Sequence, residues 1–237
     1  MMTTAEGPRA ESRAKQIRLI KEVAARLLAE KGVAGLSLRE VSREMGVVSS
    51  AIYRYFATRD ELLTALVYDA YNDLGARVEG SEARVAREDI RGRWRVTCNA
   101  VRRWSRAHPN EYALLYGTPV PGYRAPDVTI VAATRVVAVM GHILSDAYEA
   151  MSAESPEPPS RGVASFIEVP ALRAVMPNVP AHLFVRALMA WTQVFGFVSF
   201  ELFGHYVGSV RDANKMYAEV VEELAELLGI WVTPEAT

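Results

Sequence analysis

Two short helical segments joined by a glycine constrain this chain more than any other feature of its sequence. Ser37 and Glu40 stand three residues apart in Ser-Leu-Arg-Glu, the spacing at which a serine caps a helix and a glutamate reaches back to the cap. This helix is short because Gly46 ends it, and a second segment follows over 48–56. The capping pattern recurs from Thr58 and opens a longer helix. The spacing predicts two short helices joined by a tight turn, which is the arrangement of a helix-turn-helix.

The rest of the chain also has the period of helices. In front of the short pair, apolar residues recur on one face from Ile17, and Gly32 and Gly35 end that segment. Glycine, proline and polar clusters separate further helical segments, which we expect at 59–78, 89–107, 111–116, 128–151, 180–203 and 213–228. The stretch 152–161, SAESPEPPSR, predicts a loop. Because no run alternates as a strand does, the predicted fold class is all-α.

Charge is distributed unevenly along the chain. Residues 1–60 contain 11 Lys+Arg and 7 Asp+Glu, whereas residues 61–237 contain 16 and 21, which together give the net charge of −1. A basic end on an acidic remainder indicates that one end binds a polyanion, although a difference of this size also arises by chance.

Composition and motifs argue against several other classes of protein. Cys98 is the single cysteine, which excludes a disulfide framework and a Cys-based zinc site, and we expect it to be a small buried hydrophobe. The sequence has no P-loop, dinucleotide fingerprint, HExxH or nucleophile-elbow motif, so we predict no enzyme, no cofactor and no metal site. Arg135 and Glu201 interrupt the longest apolar stretches before about 18 residues accumulate, and the N-terminus lacks an apolar signal segment. We therefore expect a cytoplasmic protein with no membrane contact.

The second short helix has the residues that a DNA-reading helix needs. In a helix-turn-helix this helix enters the major groove, while the first crosses the phosphate backbone. Ile52 and Phe56 are expected to anchor it to the core, which leaves small and hydrogen-bonding side chains for the DNA. The residues with that prediction are Ser49, Ser50, Ala51, Tyr53, Arg54 and Tyr55. The alternative is an ordinary turn between two amphipathic helices.

Four stretches in register resemble the N-terminal signature of the TetR family of bacterial transcriptional repressors. They are Leu36–Val41, Met45–Val47, Ala51–Phe56 and Thr58–Leu63, and the resemblance covers about residues 13–67. It implies a homodimer that binds a palindromic double-stranded DNA operator and releases it when a small-molecule effector binds. An architectural DNA-binding protein without an effector, an activator and, much less favoured, an all-helical enzyme remain alternatives.

The resemblance also implies roles for single residues. Ser37 and Arg39 would contact the DNA backbone or base edges, and Arg59 would add a phosphate contact at the positive end of the next helix. The groove-facing residues would be Ser49, Ser50, Ala51 and Arg54, and the phosphate-holding residues Tyr53 and Tyr55. The family has Ser, Thr or Ala where Val48 stands, and because valine cannot cap a helix, Ser49 is a candidate to take over that cap.

The remainder resembles one C-terminal subtype of the same family, which has a Trp, three residues and then His-Gly. His108–Pro119 resembles that subtype, and so does Trp191 followed by Phe195 and Gly196, except that Phe195 replaces the His. The resemblance implies a helical domain for effector binding and dimerisation. The expected division is a flexible arm at 1–12, a three-helix DNA-binding domain at 13–60 and that helical domain at 61–237.

Dense aromatic residues in the C-terminal part predict an apolar pocket for a small hydrophobic effector. The residues expected to line it are Trp94, Tyr112, Tyr116, His142 and Trp191. The alternative for each is ordinary core packing, and for His142 a hydrogen-bonded core position. Two apolar faces on the last helices predict a four-helix dimer interface, against the alternative of packing within one chain. The residues expected there are Leu188, Phe195, Ser199, Phe203, Val220 and Leu224.

Overall fold

The computed structural model describes residues 8–32, 35–151, 173, 176 and 179–230, and their long regular elements are all α-helices. The helices are α1 (Pro8–Lys31), α2 (Leu38–Glu44), α3 (Ser49–Tyr53), α4 (Arg59–Glu82), α5 (Ile90–Ala107), α6 (Pro109–Tyr116), α7 (Ile130–Met151), α8 (Ala181–Leu202) and α9 (Ala213–Leu227). A 3-10 turn at Asp127–Thr129 precedes α7. These described residues contain no strand, and the predicted all-α fold class is confirmed.

The described residues form two compact units. The N-terminal unit comprises those of Met1–Ala70 together with Asn110–Ile130, and the body comprises those of Tyr71–Pro109 and Val131–Thr237. The expected boundary at residue 60 therefore falls inside the N-terminal unit, which also takes in a segment from much later in the chain.

The segment Asn110–Ile130 joins the N-terminal unit through its side chains. Leu114, Val120 and Tyr123 pack against the hydrophobic core of that unit. The Tyr123 hydroxyl also lies 3.1 Å from Oγ1 of Thr64 on α4. Helical periodicity reports which face of a segment is apolar, but it does not report which other segment meets that face, so this attachment could not be predicted.

The helix α1 begins earlier than the sequence suggests. Residues 8–11 are polar and expected in the flexible arm, but the helix already starts at Pro8, a residue type that the first turn of a helix accepts. The apolar face of α1 packs on α2, α3 and α4. The buried core of this unit comprises Ile20, Ala24, Leu27, Leu36, Leu38, Val41, Ile52, Phe56, Leu62, Leu63 and Leu66.

The helix α5 supplies buried aromatic residues to the body. Nε1 of Trp94 donates a hydrogen bond to the carbonyl of Val221 at 2.9 Å, and Nε1 of Trp104 donates to the carboxylate of Asp73 at 2.6 Å. Cys98 is fully buried on the same helix, and burial raises the pKa of its thiol well above the usual value. The prediction that Cys98 is a small buried hydrophobe is confirmed.

Arginine–carboxylate pairs connect the helices of the body. Arg93 is only 6% exposed, and it donates to Glu82 at 2.5 Å and to Asp146 at 2.6 Å. Burial alone would raise the pKa of Asp146, but hydrogen bonds from Arg93 and Arg87 outweigh burial and lower that pKa. The buried charge of Arg93 is tolerated because the half-buried carboxylates of Glu82 and Asp146 neutralise it.

Two other arginines of the body make bidentate pairs. Arg102 donates to Glu201 at 2.7 and 2.6 Å, and Arg135 donates to Glu79 at 2.7 and 2.5 Å. The hydrogen bond from Arg135 lowers the pKa of Glu79 below its usual value. Gly75 makes room for the Arg135 side chain, because a Cβ at this position would lie 2.7 Å from its Nε.

Most of the predicted helices are present with shifted ends. The helix α4 continues to Glu82 beyond the expected residue 78, whereas α3 has five residues of the expected segment 48–56. The loop predicted at 152–161 lies outside the described residues. Asp127–Ala150 and Leu183–Leu202 are long and apolar enough to cross a membrane, a test that the core helices of soluble proteins also pass.

Candidate nucleic-acid interface

The first helix of the predicted helix-turn-helix is capped as its sequence indicates. Oγ of Ser37 accepts a hydrogen bond from the backbone N–H of Glu40 at 3.1 Å, which confirms Ser37 as the N-cap of α2. The Glu40 carboxylate is expected to reach back to the cap, but it contacts Arg43 and lies 3.7 Å from Nζ of Lys31. The reciprocal half of the predicted capping box is therefore wrong, because two cations compete for the carboxylate.

The turn between α2 and α3 depends on one glycine. Gly46 has a φ of +67°, a left-handed conformation that side-chain-bearing residues rarely adopt. The turn is closed by hydrogen bonds from the Gly46 N–H to the Arg43 carbonyl at 3.1 Å and from the Val47 N–H to the Ser42 carbonyl at 3.0 Å. The prediction that Gly46 ends the first helix is confirmed.

The helix α3 begins without a side-chain cap. Val48 occupies the N-cap position with extended backbone angles, and its side chain makes no capping hydrogen bond. Ser49 does not take over the cap, because its Oγ lies 3.0 Å from Oγ of Ser42 on α2. Since the Ser42 hydroxyl donates to the Arg39 carbonyl at 2.8 Å, Ser49 is the donor to Ser42. This bond leaves Ser49 half-buried and ties α3 to α2.

The face of α3 away from the core carries most of the predicted DNA contacts. Ile52 and Phe56 are buried in the N-terminal unit, which confirms them as anchors. Ser50 and Tyr53 are exposed, and Arg54 is exposed directly after the last residue of α3. Ala51 is half-buried.

Two exposed arginines of this helix pair make no ion pair with the carboxylates that the structure describes. Arg39 on α2 and Arg54 after α3 make no ion pair with any carboxylate in the described part of the chain. On the same helix as Arg39, Arg43 pairs with Glu40. The charges of Arg39 and Arg54 are thus available to an external anion.

Tyr55 and Arg59 also take part in the folded structure of the N-terminal unit. The Tyr55 ring is half-buried against the core and lies 5.2 Å from the guanidinium carbon of Arg13. Nε of Arg59 donates to the Leu36 carbonyl at 2.9 Å, which connects the start of α4 to the residue before the α2 cap. The sequence did not predict this bond, because no local pattern indicates that a side chain will bind a carbonyl 23 residues earlier.

The second capping pattern is present with one shifted bond. Oγ1 of Thr58 accepts from the Glu61 N–H at 3.1 Å, and the Glu61 carboxylate accepts from the Ala57 N–H at 2.8 Å. The glutamate therefore bonds to Ala57, the residue before the cap, and not to Thr58 itself. This start of α4 is fixed from both sides.

The structure divides the residues expected to line an effector pocket. Tyr112 and Tyr116 belong to the N-terminal unit, where their ring centroids lie 5.1 Å apart, and the other three belong to the body. Trp94 and Tyr112 are fully buried core residues, Trp191 is half-buried, and His142 is exposed. The five residues therefore do not all belong to one unit. Trp94 and Tyr112 are packed in a core, which was the alternative to a pocket lining.

The residues expected at a dimer interface also differ in exposure. Leu188 and Phe203 are 52% and 47% exposed, and Ser199 and Val220 are half-buried. Phe195 and Leu224 are each 6% exposed, so the body's own core uses most of their surface. Sequence periodicity missed three exposed apolar residues on the same two helices, which are Met189, Phe200 and Met216.

Comparison with known proteins assigns both parts of the chain to one family. Residues 20–66 match the family described as bacterial regulatory proteins, tetR family, and residues 94–224 match the tetracyclin repressor-like C-terminal domain. An HTH-type transcriptional regulator of Mycobacterium tuberculosis is 37% identical over 211 residues, which cover 84% of this chain and 86% of that protein. A regulator of the same description from Mycobacterium bovis gives the same values.

Solved structures agree with this assignment. The regulatory protein SCO4313 superposes with a TM-score of 0.77 at 30% identity and covers 93% of this chain and 100% of its own. PfmR of Thermus thermophilus, a TetR family transcriptional regulator, has a TM-score of 0.57 at 16% identity and covers 88% and 97%. The second similarity shows the fold alone.

Proposed function

Because the chain belongs to the TetR family of bacterial transcriptional regulators, we propose that it represses transcription as a homodimer on a palindromic double-stranded DNA operator. Ligand-responsive repression is the general behaviour of this family, and its members are normally not enzymes. The observation that carries the proposal is that the exposed arginines Arg39 and Arg54 make no ion pair with a carboxylate among the described residues. A DNA-binding repressor of this kind acts in the cytoplasm.

The proposed DNA contacts divide into two groups. Ser50 and Arg54 read base edges, because they lie on or next to the exposed face of α3. Arg39, Tyr53 and Arg59 hold phosphates, together with Ser37 and Tyr55 in lesser roles. Phosphate contacts carry no sequence information, so the two groups have different signatures in a binding experiment.

A randomised operator library separates these groups. We expect Arg54→Ala to change the preferred bases, and Arg39→Ala to weaken binding to all sequences alike. Arg59 needs a matched pair of variants because it also bonds to Leu36. Arg59→Lys keeps the charge and loses the Nε donor, whereas Arg59→Ala loses both. If Arg39→Ala changes the preferred bases and Arg54→Ala does not, the assignment is wrong.

The homodimer is proposed to form through α8 and α9. Leu188 and Met189 on α8, Phe203 directly after it and Met216 on α9 are exposed apolar residues that a dimer interface would cover. Sedimentation at micromolar concentration tests the proposal: we expect a dimer, and a monomer for Leu188→Lys combined with Phe203→Lys. A dimer that both substitutions leave intact contradicts this interface.

An apolar effector is proposed to bind the body and lower operator affinity. Among the predicted lining residues, Trp191 and His142 belong to the body and have surface left for a ligand. The helix α4 is continuous and has residues in both units, which gives a covalent route from the body to Arg59. A coupling of about 1–3 kcal/mol is usual for such regulation. Trp191→Ala should weaken the effector's action more than it weakens operator binding.

Footprinting on the DNA upstream of the protein's own coding region is the decisive experiment. A repressor of this type protects one palindrome, with half-site centres about one or two helical turns apart. Protection of many unrelated sites supports the architectural alternative instead. Hydrophobic compounds that raise the unfolding temperature are then tested for release of the protected DNA. If none of them releases DNA, effector control through the body is refuted.

A further inference from the structure

The body contains an arginine-lined groove that the proposed function does not use. Its cavity volume is about 790 Å³, within the range of small-molecule sites. Four arginines line it with two neutral polar residues, and they are Arg84, Arg102, Arg103, Arg106, Ser81 and Asn99. None of the residues predicted for the effector or the DNA belongs to this lining.

The arginines are concentrated here against the charge of the rest of the body. Residues 61–237 contain 16 Lys+Arg and 21 Asp+Glu, yet eight of those 16 basic residues fall within residues 84–106. The same short stretch contains two acidic residues, Glu88 and Asp89. Four of the eight, Arg87, Arg91, Arg93 and Arg95, pair with carboxylates of other segments, and the other four line the groove. The positive charge that attracts an anion is therefore that of the groove arginines.

The internal ion pairs of the body leave this groove positively charged. Glu201 accepts two hydrogen bonds from Arg102 and lies 3.8 Å from Nε of Arg106. Arg84 and Arg103 are exposed and make no ion pair with a carboxylate that the structure describes. Glu201 thus pairs with two of the four arginines of the groove, and Arg84 and Arg103 keep their charge.

The groove also has a fixed component. Arg102 is only 8% exposed, and besides Glu201 it donates to Oδ1 of Asn214 at 2.9 Å. Because its Nε and Nη2 already donate to Glu201 and Asn214, only Nη1 of this guanidinium is left for a ligand, and it is held in an ordered position.

We propose that this groove binds a small polyanion with clustered phosphate or carboxylate oxygens, held chiefly by Arg84 and Arg103. Asn99 and Ser81 supply neutral hydrogen-bonding groups for the less charged part of such a ligand. A concave site of this volume fits a small molecule better than the convex backbone of a DNA duplex. The site is independent of the proposed operator contacts, and it would exist in a protein that uses another effector.

Calorimetric titration of the full chain tests the site with three probes: pyrophosphate, citrate and a short random-sequence DNA duplex. We expect saturable binding of pyrophosphate or citrate at one site per chain, weakened by about tenfold or more in Arg84→Gln combined with Arg103→Gln. The matched control removes two exposed basic residues elsewhere in the body, Arg211→Gln combined with Lys215→Gln, and should change the affinity by less than about twofold. Pyrophosphate and citrate distinguish a phosphate-bearing from a carboxylate-bearing ligand.

The possible results are decisive in both directions. Absence of saturable binding of both small probes, or equal loss of binding in the two double variants, overturns the proposal. The proposal is also overturned if the small probes do not bind and the duplex binds in a way that depends on Arg84 and Arg103. That result assigns the groove to DNA. An unchanged unfolding temperature in both double variants shows that any loss of binding comes from the groove. Failure of this test leaves operator binding untouched, because that is measured separately through Arg39 and Arg54.

Discussion

The α2–α3 pair and the body use arginine in opposite ways. Arg39 and Arg54 are exposed and make no ion pair with a described carboxylate. In the body, Arg93 and Arg102 are nearly buried and donate to carboxylates of other helices. A guanidinium that binds an external phosphate must lack an internal partner, whereas one that positions helices has its charge neutralised within the fold. Substitutions should therefore separate DNA affinity from stability.

The largest expected effect is on the buried arginine of the body. Arg93→Ala leaves the carboxylates of Glu82 and Asp146 without their common partner, and we expect the free energy of unfolding to fall by about 3–5 kcal/mol. Arg87→Ala is the control, because Arg87 contacts the same Asp146 with a side chain that is 77% exposed. Its loss should cost at most about 1 kcal/mol in urea unfolding. Equal losses for the two variants would contradict the view that the buried arginine contributes more to stability than the exposed one.

The complementary variant is Arg54→Ala in the DNA-binding pair. We expect it to lower operator affinity by about 1–3 kcal/mol, because a base contact is lost. Its free energy of unfolding should change by less than about 0.5 kcal/mol, since no ion pair is broken. Operator titration and urea unfolding of the same preparation measure both quantities, and Arg211→Ala serves as a charge-matched control in the body. A large loss of stability would contradict the assignment of Arg54 to the DNA.

Changes at the two helix caps should alter the free energy of unfolding by smaller amounts and in opposite directions. Ser37→Ala removes the bond to the Glu40 N–H and should cost about 1 kcal/mol. Val48→Ser adds a capping oxygen to α3 and should raise the free energy of unfolding by about 0.5–1 kcal/mol. Val47→Ser, one residue before the cap, is expected to give no such gain. If Val48→Ser lowers stability, the apolar contacts of Val48 outweigh the missing cap.

The smallest effect is on the acid stability of the body. Hydrogen bonds from Arg95 lower the pKa of Glu222 below its usual 4.5, against an opposing effect of burial and with help from Arg91. A carboxyl whose pKa is lower in the folded state contributes stability above pH 4.5, and that contribution is lost as the pH falls through the folded value. Because the pair is partly exposed, the contribution is modest. Glu222→Gln should flatten the decline in unfolding temperature below pH 4.5, and an unchanged pH profile would count against this pair.

Local patterns predicted the framework of the helix pair, but not all of its side-chain bonds and not the long-range pairs of the body. The cap at Ser37, the turn at Gly46 and the anchor Ile52 follow from residues a few positions apart, and the structure has all three. The pair between Arg102 and Glu201 joins residues 99 positions apart, and no periodicity connects them.

Aromatic residues show the same limit. Composition is compatible with Trp94 in a ligand pocket or in the core, and its burial and its bond to the Val221 carbonyl identify it as core. Phe195 and Leu224 lie on helices with apolar faces on more than one side, so their position alone could not say which face meets a partner. The burial that decides this depends on which segments pack together.

The hydroxyl bond between Ser49 and Ser42 has a consequence for anyone who retargets this protein to a new operator. Randomising Ser49 would alter the docking angle of α3 on α2 along with the chemistry of the reading face, so selected variants would mix two causes. A library limited to the exposed residues Ser50 and Arg54 leaves the bond between Ser49 and Ser42 intact and varies the recognition chemistry by itself. The bond between the two serines thus distinguishes a position that orients α3 from the positions that determine which bases it prefers.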